Sequence, residues 1–312
     1  MQSDFSPDKI QKTFVNKLTF SGHESFQCRH LWLKKGYDFV KMKKSFNDED
    51  AVVTLGVGKN MVNSIRFWMK AFNILSPEDK LTEFAHSLLD DDGFDPYIED
   101  EATLWLLHYQ LVKKGFASTY SIVFNELRRE KIEFTKENFL AFVKRKSETE
   151  KAFAINEKTV LEDFSVLAKM YLRSDVQSKD KEDSFSGLLT ELSLLKYYQK
   201  KIEATDKKTE FIDIYSIENT ERNEIPAEII LYAILENENF DSSINLKTIE
   251  MSANSVGTVF AINRPGLINK IEYLVSNPKY KYIVFNDQAG VKELQFKKKP
   301  SPISILENYY AN

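Results

Sequence analysis

The segment FSGHESFQCRHLWLKKGYDF, residues 20–39, gathers His23, Glu24, Cys28, Arg29 and His30 within eight positions. Side chains of these types move protons and steady phosphate. Glu24 or His23 can activate a nucleophile, and Arg29 or Lys35 can stabilise the charge of a phosphoryl transition state. His23, Cys28 and His30 also have zinc-ligand chemistry, but no second Cys/His cluster completes a tetrahedral set. Gln27 stands where a zincin motif starting at His23 needs its second histidine. A capped turn holding a satisfied histidine accounts for the same residues without any chemistry.

A second group lies in the acidic loop from Asp90 to Glu101. Asp95, Glu99, Asp100 and Glu101 are candidate ligands for Mg²⁺ or Mn²⁺, the divalent cations that phosphodiester cleavage often requires. Asp100 and Glu101 equally suit the start of a helix, where the dipole favours acids. Walker A, dinucleotide-binding, nucleophile-elbow and kinase motifs are absent, and LGVGKN at 55–60 lacks the phosphate-loop spacing.

The elements that must carry these groups read mainly as α-helix, with minor β structure. Residues 29–44 predict a helix with a possible break at Gly36. Asn47 reads as the cap of a short helix with Asp48, Glu49 and Asp50 in its first turn, running to about Leu55. Gly56 supplies a left-handed residue to end it. A second helix runs from about Lys59 to Phe72, with Val62, Ile65, Trp68 and Met69 at helical spacing. Two helices across a short glycine turn form a helix-turn-helix candidate, although helical hairpins share the pattern. In a DNA-binding unit, Lys59, Asn60, Asn63 and Arg66 form the exposed reading face. There Asn matches adenine, Arg matches guanine and Lys matches phosphate.

Ser76 reads as a further cap, and a helix from about Ala102 to Lys113 closes at Gly115. Helices over 117–129, from Thr135 to about Lys146 and from Asn156 to about Leu172 form a second, weaker helix-turn-helix candidate. Residues 174–186 are polar and read as a linker. A helix opens at Pro226 and another covers PGLINKIEYLVSN. YKYIVFN and VKELQF, joined by DQAG with Gly290 at the turn, then read as a β-hairpin. That order is the order of a winged helix. Lys297, Lys298 and Lys299 sit just past the second strand, where a wing can meet phosphates and where a solvated lysine run is equally ordinary. Three domains are expected: 1–115 with the acidic loop, a helical unit over 116–220, and a winged-helix-like unit over 221–312.

The 312 residues are 42% hydrophobic and 13% aromatic, which excludes a disordered chain. Ten Gly and eight Pro are too few for a sandwich or propeller. A single cysteine, Cys28, forbids an internal disulfide. With no secretory start and no membrane-length apolar run, a cytoplasmic location and no membrane partner are expected. The net charge of −4 argues on its face against nucleic acid. By segment the charge is +5 over 1–70, −9 over 71–110, +4 over 111–160, −8 over 161–250 and +4 over 251–312. The basic segments hold the helix-turn-helix candidates and the hairpin.

FSGHESFQCRHLWLKKGYDFV (20–40), VVTLGVGKNMVNSIRFWMKAF (52–72) and GFDPYIEDEATLWLLHYQL (93–111) together resemble a bacterial domain-of-unknown-function family from DNA phosphorothioation and related anti-phage gene clusters. IPAEIILYAIL (225–235), SVGTVFAI (255–262) and AGVKEL with its closing ILENYY (289–310) fit it too, so the resemblance covers nearly the whole chain. The resemblance implies a DNA nickase that opens one strand of duplex DNA. Partner proteins, a cysteine desulfurase, an ATPase and a sulfur transferase, would then install sulfur in the backbone. Other family members sit in clusters where nicking need not occur. A non-catalytic winged-helix adaptor and a regulator of a defence operon therefore stand as alternatives. Pairing of two copies is a further expectation.

Overall fold

Two helices are buried on every side, and the rest of the chain is arranged around them. α5 (Glu101–Lys114) buries Ala102 through Val112, and α10 (Ala227–Glu236) buries Ala227 and Ile229 through Leu235. A helix that is apolar all round has no solvent face to offer, so it must become a core. The computed structural model describes residues 18–150, 155–173, 186–203, 209–288 and 290–311.

In chain order α1 (Trp32–Lys41), α2 (Ala51–Leu55), α3 (Lys59–Ala71) and α4 (Glu83–Leu89) precede α5. α6 (Ser118–Ile122), a π-helical turn (Val123–Leu127) and α7 (Arg128–Glu130) follow. Strand β1 (Glu133–Phe134), α8 (Lys136–Glu150) and α9 (Glu157–Tyr171) lead to the hairpin β2 (Lys196–Glu203) and β3 (Thr209–Ser216). These three strands form one antiparallel sheet in the order β1–β3–β2. After α10 come β4 (Ser243–Asn245), α11 (Leu246–Met251), α12 (Val256–Val259) and α13 (Arg264–Ser276). β5 (Ile283–Gln288) and β6 (Val291–Phe296) complete a second antiparallel sheet, β4–β6–β5, and α14 (Pro302–Tyr310) closes the chain. The fold is α-rich α+β.

Several expected boundaries hold. Gly56 and Gly290 take left-handed φ values of 65° and 81° at their turns, and the Asn156 side chain caps α9 by accepting from Thr159 N–H at 3.2 Å. Others move. α1 runs unbroken through Gly36, and a Cβ there would stand 2.2 Å from the Met69 sulfur. The glycine is thus a contact point for α3, not a helix break. α2 starts at Ala51 rather than after Asn47, since the Asp48 carboxylate accepts Ser45 N–H at 2.7 Å and closes a turn instead. Thr82, not Ser76, caps α4 by accepting from Ala85 N–H. The expected helix over 117–129 contains the π-helical turn. Val160, Phe164, Leu167 and Tyr171 of α9 all face the core. The expected linker lies outside the described residues except for Ser186. The β2–β3 hairpin has no counterpart in the sequence reading.

One apolar cluster runs through all three expected domains. Hydrogen bonds cross their borders, as where Leu188 N–H donates to the Cys28 carbonyl at 2.9 Å. His108 sits in the middle of this core on α5. Its Nε2 lies 2.8 Å from the Val259 carbonyl, which can only accept, so Nε2 carries the proton. Nδ1 then accepts from Tyr171 O–H at 2.7 Å.

Burial holds His108 down to a pKa of about 3, with Arg222 and Arg128 adding to the effect. Its ordinary value is 6.5. Between those values the unfolded chain binds a proton that the folded chain does not. The stability is therefore whole above pH 6.5 and falls by about 1.4 kcal/mol per pH unit on the way down to pH 3. Ring-nitrogen chemical shifts should show His108 as the neutral Nε2–H tautomer throughout pH 5 to 8. Titration near the ordinary value would contradict this buried pairing.

Candidate nucleic-acid interface

The loop that opens the described chain has an unusual backbone. Ser21, Gly22, Glu24 and Ser25 all have positive φ, at 69°, 98°, 50° and 66°. For the three non-glycine residues this costs about 1 kcal/mol or more each, so surrounding contacts must impose it. They are visible around His23, which is buried in the middle of the run. Its Nε2 donates to Asp163 Oδ1 on α9 at 3.0 Å, and the same oxygen accepts Ser21 N–H at 2.8 Å. The Thr119 hydroxyl donates to the other Asp163 oxygen at 3.4 Å. The imidazole stacks on Trp68 at a centroid distance of 5.9 Å and meets the Phe67 ring edge-on. Gly22 is required by contact as well as by φ, since a Cβ would come within 2.8 Å of Phe67.

His23 and Glu24 consequently point in opposite directions. The expectation that His23 shares acid–base work at an open site is corrected by its burial against Asp163 and Trp68. Glu24 is exposed, and its Oε1 accepts from Asn63 Nδ2 on α3 at 3.3 Å. Arg29 is half-buried, with its guanidinium 5.2 Å from the Trp32 ring centroid and 5.8 Å from that of Phe26. Trp68 Nε1 donates to the Phe26 carbonyl at 3.0 Å, so α3 also fixes the second half of this segment.

On α3, Lys59, Asn60 and Asn63 are exposed along the first turns, beside Glu24 in the case of Asn63. Arg66 departs from the expected reading face. Its Nε and Nη2 donate to the two Asp79 oxygens at 3.0 and 2.5 Å, and Nη1 donates to Asn47 Oδ1 at 3.3 Å. Lys70 reaches Asp79 from the next turn at 2.9 Å. The Arg66 guanidinium beside it holds the Asp79 carboxyl below its usual range. A bidentate pair of this kind fastens the Ser76 turn to α3 and leaves Arg66 little freedom to meet a base. Lys297 and Lys298 are exposed after β6, as the hairpin reading expects.

The acidic loop turns out to be a helix start held by the chain terminus. Asp95 is buried, and its carboxylate accepts Glu99 N–H at 2.9 Å, Asp100 N–H at 3.0 Å and the Thr103 hydroxyl at 2.6 Å. Asp100 caps α5 by accepting Ala102 N–H at 2.8 Å. Thr103 has only one proton, given to Asp95, so Tyr310 donates to the Thr103 oxygen at 2.7 Å. Tyr310 in turn stacks on Phe94 at 5.2 Å. Asp95, Glu99 and Asp100 therefore do not fit a divalent cation: both Asp95 oxygens are occupied by donors, Asp100 is a cap, and Glu99 faces solvent. Among the described residues no group of three or more His, Cys, Asp or Glu side chains gathers as a ligand set.

Asp163, the partner that shapes the loop, carries no motif in the sequence. Its signal was an acid among Val160, Phe164 and Leu167, at a core-facing position of an apolar helix. Arg128 and Arg222, both buried, carry none either. No helix of the described residues is long and apolar enough to cross a membrane.

Two solved structures share this fold. A magnesium-ion-bound crystal structure of SspB superposes with a TM-score of 0.80 and 26% identity, covering 94% of this chain and 88% of that one. A second SspB crystal structure gives 0.79 with the same identity and coverage. No curated protein matches the chain. The family model described as a protein of unknown function, DUF4007, matches residues 20–310. That match takes in the loop, α3, the acidic cap and its α14 clamp, and the chain belongs to the DUF4007 family.

Proposed function

We propose that this protein is a DNA-binding component of a bacterial phosphorothioation and anti-phage system, and that it nicks one strand of duplex DNA. The observation that carries the reading is the contact of Glu24 with Asn63. It puts an exposed carboxylate, on a backbone held in a strained shape, beside the exposed first turns of a helix that follows a glycine turn. α3 enters the major groove, with Lys59 on phosphate and Asn60 and Asn63 at base edges. Glu24 serves as the acid–base group and Arg29 as the phosphate clamp. His23 is a positioning residue acting through the loop.

The C-terminal unit works as a winged helix. Its order α10–β4–α11–α12–α13–β5–β6 and its sheet order β4–β6–β5 support that reading. Lys297 and Lys298 then lie at the base of the wing, within reach of backbone phosphate. The product of nicking passes to a cysteine desulfurase, an ATPase and a sulfur transferase. The SspB likeness supports a place in such a system, and the magnesium ion bound in one SspB structure supports Mg²⁺ as an assay cation. Two copies pairing on a two-fold DNA site would match the same assembly.

A second reading has its own support. Asp95 and Asp100 are taken up by donors at the start of α5, and Asp90 and Asp91 by Lys34, Tyr37 and Lys41, which favours a non-catalytic adaptor or operon regulator over a metal-dependent nuclease. A supercoiled plasmid with Mg²⁺ or Mn²⁺ separates the two. The nickase reading predicts open circles for the wild type and at least about a hundredfold slower conversion for Glu24→Gln, with DNA affinity kept. A wild type that binds plasmid but never opens it establishes the adaptor.

Duplex affinity tests the reading helix by itself. Lys59→Glu with Asn60→Ala should weaken binding and lower its salt dependence by about one phosphate contact. Arg66→Ala should instead destabilise the fold by about 1–3 kcal/mol, because it leaves Asp79 with only Lys70, and should leave base preference unchanged. A change of preference in Arg66→Ala would return that residue to the reading face.

A further inference from the structure

Away from α3, the π-helical turn and α7 border a cleft of about 970 Å³ that opens between the middle of the chain and α11. Arg128 lies in its wall and is more than nine-tenths buried. Its Nε donates to the Phe124 carbonyl at 3.1 Å, and Nη2 donates to Asn219 Oδ1 at 2.9 Å and to the Gly257 carbonyl at 3.2 Å. Every one of these acceptors is neutral. A buried guanidinium normally has a carboxylate beside it, and here the nearby charges are Arg222 and Arg129, both of its own sign. Burial, with those two arginines, pushes Arg128 down to about 10.

The acids on the cleft do not relieve this charge. Glu126 pairs with Lys146 at 3.0 Å, Glu130 with Arg145 at 2.7 Å and Glu218 with Lys196 at 2.6 Å. Glu250, in the narrower continuation of the cleft, pairs with Arg264 at 2.6 Å. Arg129 is exposed on the rim and has no carboxylate partner among the described residues. Asn219 spends its oxygen on Arg128, which leaves its amide N–H₂ to donate. Beside these cations stand apolar side chains that are themselves uncovered, Ile132 at 64% and Met251 at 45% exposure. Two unbalanced guanidiniums with a flat apolar rim match an anion joined to an aromatic ring, and the volume is that of a small-molecule site.

We propose that this cleft binds a nucleotide, its phosphate against Arg128 and Arg129 and its base against Ile132 and Met251. The site goes beyond the duplex-DNA reading and stands whether or not α3 contacts DNA. Its phosphate comes either from a free nucleotide or from one unit of a DNA strand.

Isothermal titration of the full chain with AMP, adenosine and inorganic phosphate tests it. AMP should bind at least about tenfold more tightly than either adenosine or phosphate alone. Arg129→Glu, at an exposed position, should keep the melting temperature and lose at least about tenfold in AMP affinity, while Lys279→Glu, elsewhere on the surface, changes neither. Met251→Asp should weaken AMP more than phosphate. Displacement of AMP by a short single-stranded oligonucleotide assigns the site to DNA, and retention of AMP assigns it to free nucleotide. No AMP binding up to about 5 mM, equal affinity for AMP and adenosine, or full affinity in Arg129→Glu would overturn the proposal.

Discussion

The buried hydrogen bond between His23 and Asp163 is the constraint on which the candidate interface depends. It joins the first described loop to α9, nearly half the chain away, and it draws Ser21 N–H onto the same carboxylate. With His23 also stacked on Trp68, the loop turns through left-handed residues, and Glu24 meets Asn63 at the surface. Removing the bond would not simply subtract one contact. It would leave Asp163 buried with a reduced set of donors and release several residues from a conformation that costs energy by itself. The geometry at α3 is therefore set from the inside.

Charge is organised on the same principle. On α3 the exposed Lys59 has no carboxylate partner among the described residues, whereas Arg66 and Lys70 are consumed by Asp79. Asp95 and Asp100 are consumed by donors at the start of α5, and Asp90 and Asp91 by Lys34, Tyr37 and Lys41. Arg128 is the opposite case, a buried cation surrounded by neutral acceptors and other arginines. A net charge of −4 thus coexists with two separate places where positive charge is unbalanced. One is open and helical, as suits a duplex. The other is a cleft of small-molecule size.

Local signals were legible in the sequence. Glycine at a left-handed turn, Asn156 at a helix start, Pro226 ahead of α10 and the DQAG hairpin all follow from one short stretch of chain, and all lie where they were expected. What failed depended on partners distant in sequence. Gly36 reads as a break until Met69 is known to press against it. Asp95 reads equally as a ligand or a cap, because a carboxylate accepts N–H as readily as it holds a cation, and only the fold brings Thr103 and Tyr310 to it. Arg66 looked free because Asp79 reaches it by way of the Ser76 turn. The β2–β3 hairpin escaped because KYYQKKIE alternates poorly and exposes Tyr197 and Tyr198, so its stabilisation comes from pairing and not from an apolar face. Within the candidate site, the residue types were readable and their directions were not.

The central claim is that the Glu24–α3 surface is where this protein meets duplex DNA. A photo-crosslinking amino acid placed at position 60, with a second placed at exposed position 273 on α13, tests it most directly on plasmid or duplex oligonucleotide. The account predicts a DNA adduct from position 60 that salt suppresses and that Lys59→Glu diminishes. Adducts from position 273 with none from position 60 would contradict it and move the duplex to the C-terminal unit alone.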